Sequence, residues 1–325
     1  MCSEFDIIHR YFKRPAPGAV LGIGDDAALI TAPDKTELAI STDTLVCGIH
    51  FFADVDPNTL GYKSLAVNLS DMAAMGAKPR WSLLSLTLPE DLVKQNTTWL
   101  TEFSQGFFAL ADAHHVELIG GDTTSGPLNI CIQIIGEVAA GKALRRSGAE
   151  LDDDIWISGQ LGNAALALNH ELRRITLEPD EIAQCLPALL TPSPRVKLGQ
   201  RLIGLAHSAI DLSDGLMADL GHILAASDKA ACIHMADIPC SPLLKKYLQQ
   251  SMAIDCLLAG GDDYELCFTA PKINRGKIAA LAAELAIPLT RIGEISAGQG
   301  LIVKDAQGNT MTLETQGYDH FRARD

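Results

Sequence analysis

Apolar and polar residues alternate along residues 37–43 (ELAISTD), the period of a strand with one face against a core. Residues 59–77 (TLGYKSLAVNLSDMAAMGA) instead place Leu65, Leu69 and Met72 at helical spacing, which predicts a helix. A strand over 82–88 (SLLSLTL), closed by Pro89, and a long helix over 92–115 come next. VELI (116–119) reads as a short strand running straight into Gly120-Gly121-Asp122, and 129–138 (NICIQIIGEV) as another strand. The stretch GKALRRSGAELDDD (141–154) is polar, charged and glycine-containing, the composition of a domain linker. Beyond it IWIS is strand-like, Gly159 to Asn163 opens a helix, and 215–226 and 274–286 read as helices. LLAGGDDYELCFTA (257–270) reads as strand, loop, strand, and Gly317 to Phe321 ends the fold. The alternation is that of an α/β chain in two parts, 1–145 and 146–325.

Length agrees with two parts, since 325 residues exceed the roughly 250–300 at which single cores stop growing. No apolar run reaches about 18 residues, so no membrane span is expected. The N-terminus MCSEFDIIHRYFKR carries acidic residues early, with no apolar segment of signal-peptide length after it, and a cytoplasmic location is expected. Eight cysteines include no C-x-x-C pair, which argues against zinc and for reduced, mostly buried thiols. A net charge of −14 argues against a nucleic-acid partner. It leaves room for a phosphorylated small substrate, because metal ions can sit between protein carboxylates and phosphates.

Candidate chemistry lies in aspartates placed at strand ends and glycine turns: Asp25 and Asp26, Asp43, Asp71, Asp122, Asp211 and Asp214, and Asp262 and Asp263. Clustered carboxylates repel unless a cation sits among them, and oxygen-only donors favour a hard ion such as Mg²⁺. Aspartate and glycine are also common turn formers and helix caps, and composition and spacing alone leave the two readings even. Familiar nucleotide motifs are absent: there is no G-x-x-x-x-G-K-[ST], no H-R-D and no D-F-G. Gly159-Gln160-Leu161-Gly162-Asn163 reads as a plain helix entry ahead of an anion cradle.

Eight segments in order change the picture. GIGDDAA (22–28), STDTLVCGIHF (41–51), NLSDMAAMGA (68–77), GGDTT (120–124), RSGA (146–149), DLSDGL (211–216), GGDDYEL (260–266) and GYDHF (317–321) resemble the motif series of thiamine-monophosphate kinases. The series spans nearly the whole chain. The resemblance implies the two-domain fold of the aminoimidazole ribonucleotide synthetase superfamily, each domain a mixed sheet covered by helices. It implies an N-terminal domain (1–145) that binds ATP and Mg²⁺ and forms a homodimer, and a C-terminal domain (146–325) that completes the nucleotide and substrate site. By resemblance, Asp26, Ser41, Thr42, Asp43, Asp71, Asp122, Asp211 and Asp214 bind several Mg²⁺ ions. Gly121, Asp122, Arg146 and Ser213 hold ATP, and His50, Asp262 and Tyr318 contact thiamine monophosphate. Asp43, Asp122 and Arg146 are the residues expected to act on the transferring phosphoryl group.

One departure stands out: the family usually carries GGEDYEL, and this chain has Asp262 where the first glutamate falls. The implied reaction passes the γ-phosphoryl of ATP to thiamine monophosphate by direct in-line transfer, the last step of thiamine diphosphate synthesis. The alternatives are another ATP-dependent synthetase of the superfamily and a non-catalytic Mg-nucleotide-binding protein.

Overall fold

The computed structural model describes residues 4–24, 26–95 and 97–311; Tyr318 and the rest of the 317–321 segment lie outside the described residues. The chain divides into two units, Met1–Met72 with Ala77–Gly141, and Ala73–Gly76 with Lys142–Asp325. The long crossing between them falls after Gly141, at the start of the polar stretch read as a linker.

In the first unit a short helix, α1 (Glu4–Ile7), continues as a π turn over Ile8–Phe12 that buries Tyr11 and Phe12. Then come β1 (Thr36–Val46), α2 (Pro57–Ala74), β2 (Lys78–Leu88), α3 (Glu90–Gln95), α4 (Thr97–His114), β3 (Glu117–Ser125) and β4 (Asn129–Ala139). The strands lie in the order β1-β4-β2-β3. β4 pairs antiparallel with β1 and β2, while β2 and β3 are parallel, a link that requires the crossover supplied by α3 and α4.

The helix expected over 92–115 falls on α3 and α4, which flank Asn96, a residue outside the described ones. One expectation changes here. The short strand at 116–119 runs on through Gly120-Gly121-Asp122 to Ser125, paired residue for residue with β2 as far as Leu88. Gly121 makes this possible: its φ is 145°, and a Cβ there would fall 1.9 Å from the Leu84 carbonyl oxygen.

α2 is buried on several sides rather than along one stripe. Leu65, Leu69 and Met72 are buried, and so are Lys63, Ser64, Asn68 and Ser70. Ser64 Oγ and Asn68 Nδ2 donate to carbonyls one turn back, at 2.7 and 3.1 Å, which lets these polar side chains sit in the core. α2 and α4 cross backbone to backbone at glycines: a Cβ on Gly61 would lie 2.0 Å from Phe103 O, and one on Gly106 would lie 1.8 Å from Asn58 O. Neither obstacle is a flexible side chain, so Gly106→Ala is expected to cost about 3 kcal/mol or more. Urea unfolding checks this, and a midpoint equal to wild type would contradict it.

The second unit contains β5 (Asp154–Ser158), α5 (Asn163–Glu171), α6 (Pro179–Leu190), α7 (Val196–Leu202), β6 (Ser208–Asp211), α8 (Leu216–Ser227) and β7 (Ala230–His234). These are followed by α9 (Pro242–Tyr247), α10 (Ser251–Leu258), β8 (Leu266–Ala270), α11 (Arg275–Leu285), β9 (Leu289–Ser296) and β10 (Gly300–Lys304). The sheet order is β10-β7-β9-β5-β8-β6, antiparallel except for β10 with β7. β5 is buried at every position, which is why IWIS shows no alternation. Asp154 opens this strand at 0% exposure, and Arg275 holds both its carboxylate oxygens at 2.6 Å. Leu257 and Leu258, expected as strand, instead end α10; a short apolar pair carries no period, and Ala253, Cys256 and Leu257 are buried at helical spacing. Among the described residues no helix is long and apolar enough to cross a membrane. Seven cysteines among the described residues are free; Cys185, Cys240, Cys256 and Cys267 are buried, and burial pushes the Cys256 thiol up to about 12.

Candidate active site

A cleft of about 910 Å³ opens in the first unit. Gly22, Gly24 and Asp26 line it from one loop, and Gly120, Gly121 and Asp122 line it from β3. Ile8, Phe12 and Ile30 supply an apolar wall, and His9 stands beside them in the π turn. Three residues assigned by motif, Asp26, Gly121 and Asp122, thus share one cavity. Glycine backbone next to carboxylates, with an apolar wall behind, suits a ligand that has a flat apolar part and a charged tail. No sequence motif marked His9, and only the folded π turn brings it here.

β1 carries the next group. Its period of two puts Ser41, Asp43 and the buried Leu45 on one face and Thr42 and Thr44 on the other. Ser41 Oγ donates to Asp71 Oδ2 of α2 at 2.6 Å, joining two expected ligands directly. Thr42 Oγ1 donates to Ile132 O at 3.1 Å across the sheet and lies 3.5 Å from Cys131 Sγ, so its hydroxyl is engaged away from the Ser41–Asp43 face. His50 Nδ1 accepts the Val46 backbone N–H at 3.0 Å. That bond assigns the proton of the neutral ring to Nε2, which becomes a donor.

In the second unit β6 ends at Asp211, and Leu212-Ser213-Asp214 leads to Gly215 (φ 107°) at the start of α8. Asp219, on the first turn of that helix, turns its carboxylate back: Oδ2 accepts the N–H groups of Asp214 at 3.0 Å and Gly215 at 3.1 Å. Arg146 is tied through its backbone, its carbonyl accepting Ser227 Oγ at 3.3 Å, while Ser227 Oγ accepts the Ala149 N–H at 3.2 Å.

Asp219 escaped the sequence reading, because its role depends on the loop it faces. Burial, and then the charges of Asp211 and Asp214, push its carboxyl up to about 7, against the pull of the Asp214 and Ser213 N–H groups. The sign of the linkage follows. A carboxyl whose pKa rises on folding makes the native state hold the extra proton, so stability falls as pH climbs from about 4 to about 7. In metal-free protein, Asp219→Asn is expected to remove this loss, on the order of 4 kcal/mol at most. Denaturation at pH 5 and pH 8 measures it; parallel pH profiles for variant and wild type would contradict the assignment.

The GGDDYEL segment is knitted to the same loop. Asp262 N–H donates to Ser213 O at 2.9 Å, Tyr264 N–H to Leu212 O at 2.8 Å, and Leu212 N–H to Glu265 O at 2.8 Å. Ser213, Asp214 and Asp262 are therefore held on one double loop. Asp263 accepts the Gly162 N–H with both oxygens at 3.0 Å, so the start of α5 already holds the chain's own carboxyl, in keeping with a plain helix entry. Burial raises the Asp263 carboxyl well above its ordinary range, opposed by that N–H. Glu265 forms a bidentate pair with Arg195 and accepts Ser158 Oγ.

Among the described residues no three His, Cys, Asp or Glu side chains gather closely enough to hold a metal ion by themselves. The donors come in ones and twos, as carboxylates and hydroxyls. That suits Mg²⁺, which keeps water and substrate phosphates in its shell and takes one or two protein carboxylates.

Residues 24–138 match the sequence model of the family described as AIR synthase related protein, N-terminal domain. The backbone also resembles Escherichia coli HypE, a hydrogenase maturation protein, with a TM-score of 0.78 over 98% of this chain and 97% of that one; at 20% identity the likeness concerns the fold alone. Residues 24–138 are therefore an AIR synthase-related N-terminal domain. More narrowly, the chain belongs to the thiamine-monophosphate kinase family, and it is a kinase. It is 48% identical to the thiamine-monophosphate kinase of Escherichia coli K12 over 98% of each chain, and 33% identical to that of Bacillus subtilis over 98% of this chain and all of the relative. The crystal structure of the Stenotrophomonas maltophilia K279a thiamine-monophosphate kinase is 46% identical, with a TM-score of 0.83 over 94% of this chain and 95% of that one. AaThiL complexed with AMPPCP and TMP is 30% identical, with a TM-score of 0.78 over 90% and 89%.

Proposed function

We propose that this kinase transfers the γ-phosphoryl group of ATP to the phosphate of thiamine monophosphate, yielding thiamine diphosphate and ADP. The observation that carries the reading is the single cleft shared by Asp26, Gly121 and Asp122, in a chain whose relative AaThiL is solved with AMPPCP and TMP. The residues that would hold Mg²⁺ are Asp26, Ser41, Asp43, Asp71, Asp122, Asp211 and Asp214, with Thr42 assigned beside them by motif alone, its hydroxyl being bonded to Ile132 O. When bound, Mg²⁺ neutralises the phosphate oxygens of two polyanions that otherwise repel.

The chain's own groups then bind and orient. Gly121 brings backbone close to the phosphates, and Arg146 and Ser213 add a cation and a hydroxyl for the nucleotide. The Ser41 hydroxyl fixes the rotamer of Asp71. His50 offers its Nε2–H to the substrate phosphate. Asp262 and Tyr318 attract the cationic thiazolium ring, one by charge and the other by its aromatic face. No general base is assigned, because a phosphate monoester with a second pKa of ~6 is already mostly dianionic at neutral pH. Transfer is direct and in line, and it completes thiamine diphosphate synthesis. The chain works in the cytoplasm as a homodimer joined through the 1–145 domains.

Incubation with ATP, Mg²⁺ and thiamine monophosphate tests the reading. Thiamine diphosphate and ADP are expected in equal amounts, turnover should vanish in EDTA, and excess Mg²⁺ should restore it. Full turnover in EDTA, or no diphosphate product, would refute it.

A further inference from the structure

We propose that the Tyr264 hydroxyl is a positioning group that aims the Asp262 carboxylate at the cationic ring of the substrate; the inference rests on the reading of Asp262 as a substrate contact. Tyr264 Oη donates to Asp262 Oδ1 at 3.1 Å, and the tyrosine itself is 9% exposed. Both residues have left-handed backbone, φ 68° at Asp262 and 49° at Tyr264, a conformation that side chains with a Cβ avoid. Such geometry persists where the surroundings over-determine it, and it collects at ligand-binding sites.

Here the constraints are visible. The N–H groups of both residues are tied to Ser213 O and Leu212 O. Between them Asp263 is bound to the Gly162 N–H, and beyond them Glu265 is clamped by Arg195 and Ser158. Two of the motif's three acidic side chains thus hold the loop in shape. The third, Asp262, receives a hydrogen bond from a ring whose own backbone is fixed.

An aspartate side chain has two rotatable bonds, so one hydrogen bond to one oxygen sets the plane of the carboxylate. With left-handed backbone at Asp262 and at Tyr264, on either side of Asp263, the two side chains lie within hydrogen-bonding distance. A hydroxyl donor also leaves the carboxylate charge intact, as a cationic ligand requires. Removing the hydroxyl takes this anchor from the carboxylate, and the substrate must then supply part of its orientation on binding. ATP, bound by other groups, does not bear that cost.

The test is a cycle of Y264F, D262A and the double variant, with KM for thiamine monophosphate and for ATP, kcat and the thermal midpoint recorded for each. Y264F is expected to raise KM for thiamine monophosphate by about 3- to 10-fold, the loss falling in KM rather than kcat. KM for ATP should move by less than about twofold. The double variant should bind thiamine monophosphate no worse than D262A alone, because the hydroxyl acts through the carboxylate it holds. An unchanged KM in Y264F alongside a raised KM in D262A would overturn the positioning role and leave Asp262 as a contact. An unchanged KM in D262A would remove the Asp262 reading and the inference with it. A Y264F protein that fails to fold, or that loses both substrates equally, would make the hydroxyl a support of the loop and overturn the proposal.

Discussion

Asp43→Asn and Asp122→Asn are each expected to lower kcat by on the order of 100-fold or more, with the fold intact. Asparagine matches aspartate in shape and removes only the charge. Asp43 sits opposite Ile132 in β1, on the face where Ser41 meets Asp71. Asp122 sits opposite Ser85 in β3, at the edge of the cleft. Asp43 is half-buried and Asp122 is exposed, so neither substitution removes a fully buried charge from the core. Their charge matters where two polyanions must meet inside a protein of net charge −14. On the proposed mechanism, cations held by these carboxylates offset the repulsion, and a carboxamide would hold them far more weakly. Steady-state kcat at saturating Mg²⁺, alongside circular dichroism and a melting curve, checks both variants. Near-wild-type turnover in both would remove the carboxylate-held cation from the reaction.

Much of the fold could be read from periodicity because each part repeats one simple environment. The 37–43 alternation marks most of β1, which begins one residue earlier and runs three residues further, and the 59–77 spacing marks α2 at Pro57–Ala74. The failures have local causes. Gly120-Gly121 looks like a chain break, yet in β3 it serves close approach to β2. Leu257-Leu258 is too short to show a period. The site divides in the same way. Motif aspartates announce themselves through neighbouring glycines or hydroxyl residues, and the structure gathers Asp26 with Asp122, Ser41 with Asp71, and Ser213 with Asp262. The groups that hold them do not announce themselves. Asp219 matters because its carboxylate turns back to the Asp214 N–H, and Tyr264 because its hydroxyl meets Asp262, both consequences of loop shape rather than of residue spacing. Thr42 shows the limit of reading a motif letter by letter: it stands between Ser41 and Asp43 in sequence and faces the other side of the strand.

Unphosphorylated thiamine is expected to be a poor acceptor, with kcat/KM lower than that of thiamine monophosphate by on the order of 10³-fold or more. Two losses combine. The thiamine hydroxyl is a weak nucleophile at neutral pH and needs a general base, whereas a phosphate monoester arrives as a dianion. His50, the one histidine assigned to the substrate, has its Nδ1 occupied by the Val46 N–H, so its neutral ring offers Nε2 as a proton donor and not as a base. The second loss is positional: without its phosphate the acceptor lacks the charged oxygens that place the attacking atom in line with the γ-phosphorus. The first penalty acts on the chemical step, so saturating thiamine should not restore the rate, and the deficit should appear in kcat as well as KM. Chromatography that separates thiamine monophosphate from thiamine diphosphate measures both reactions in one assay. Comparable kcat/KM for the two acceptors would overturn the base-free mechanism, and His50→Gln would then be the first variant to examine, because it keeps a hydrogen-bond donor near the same place while removing any group able to take the proton.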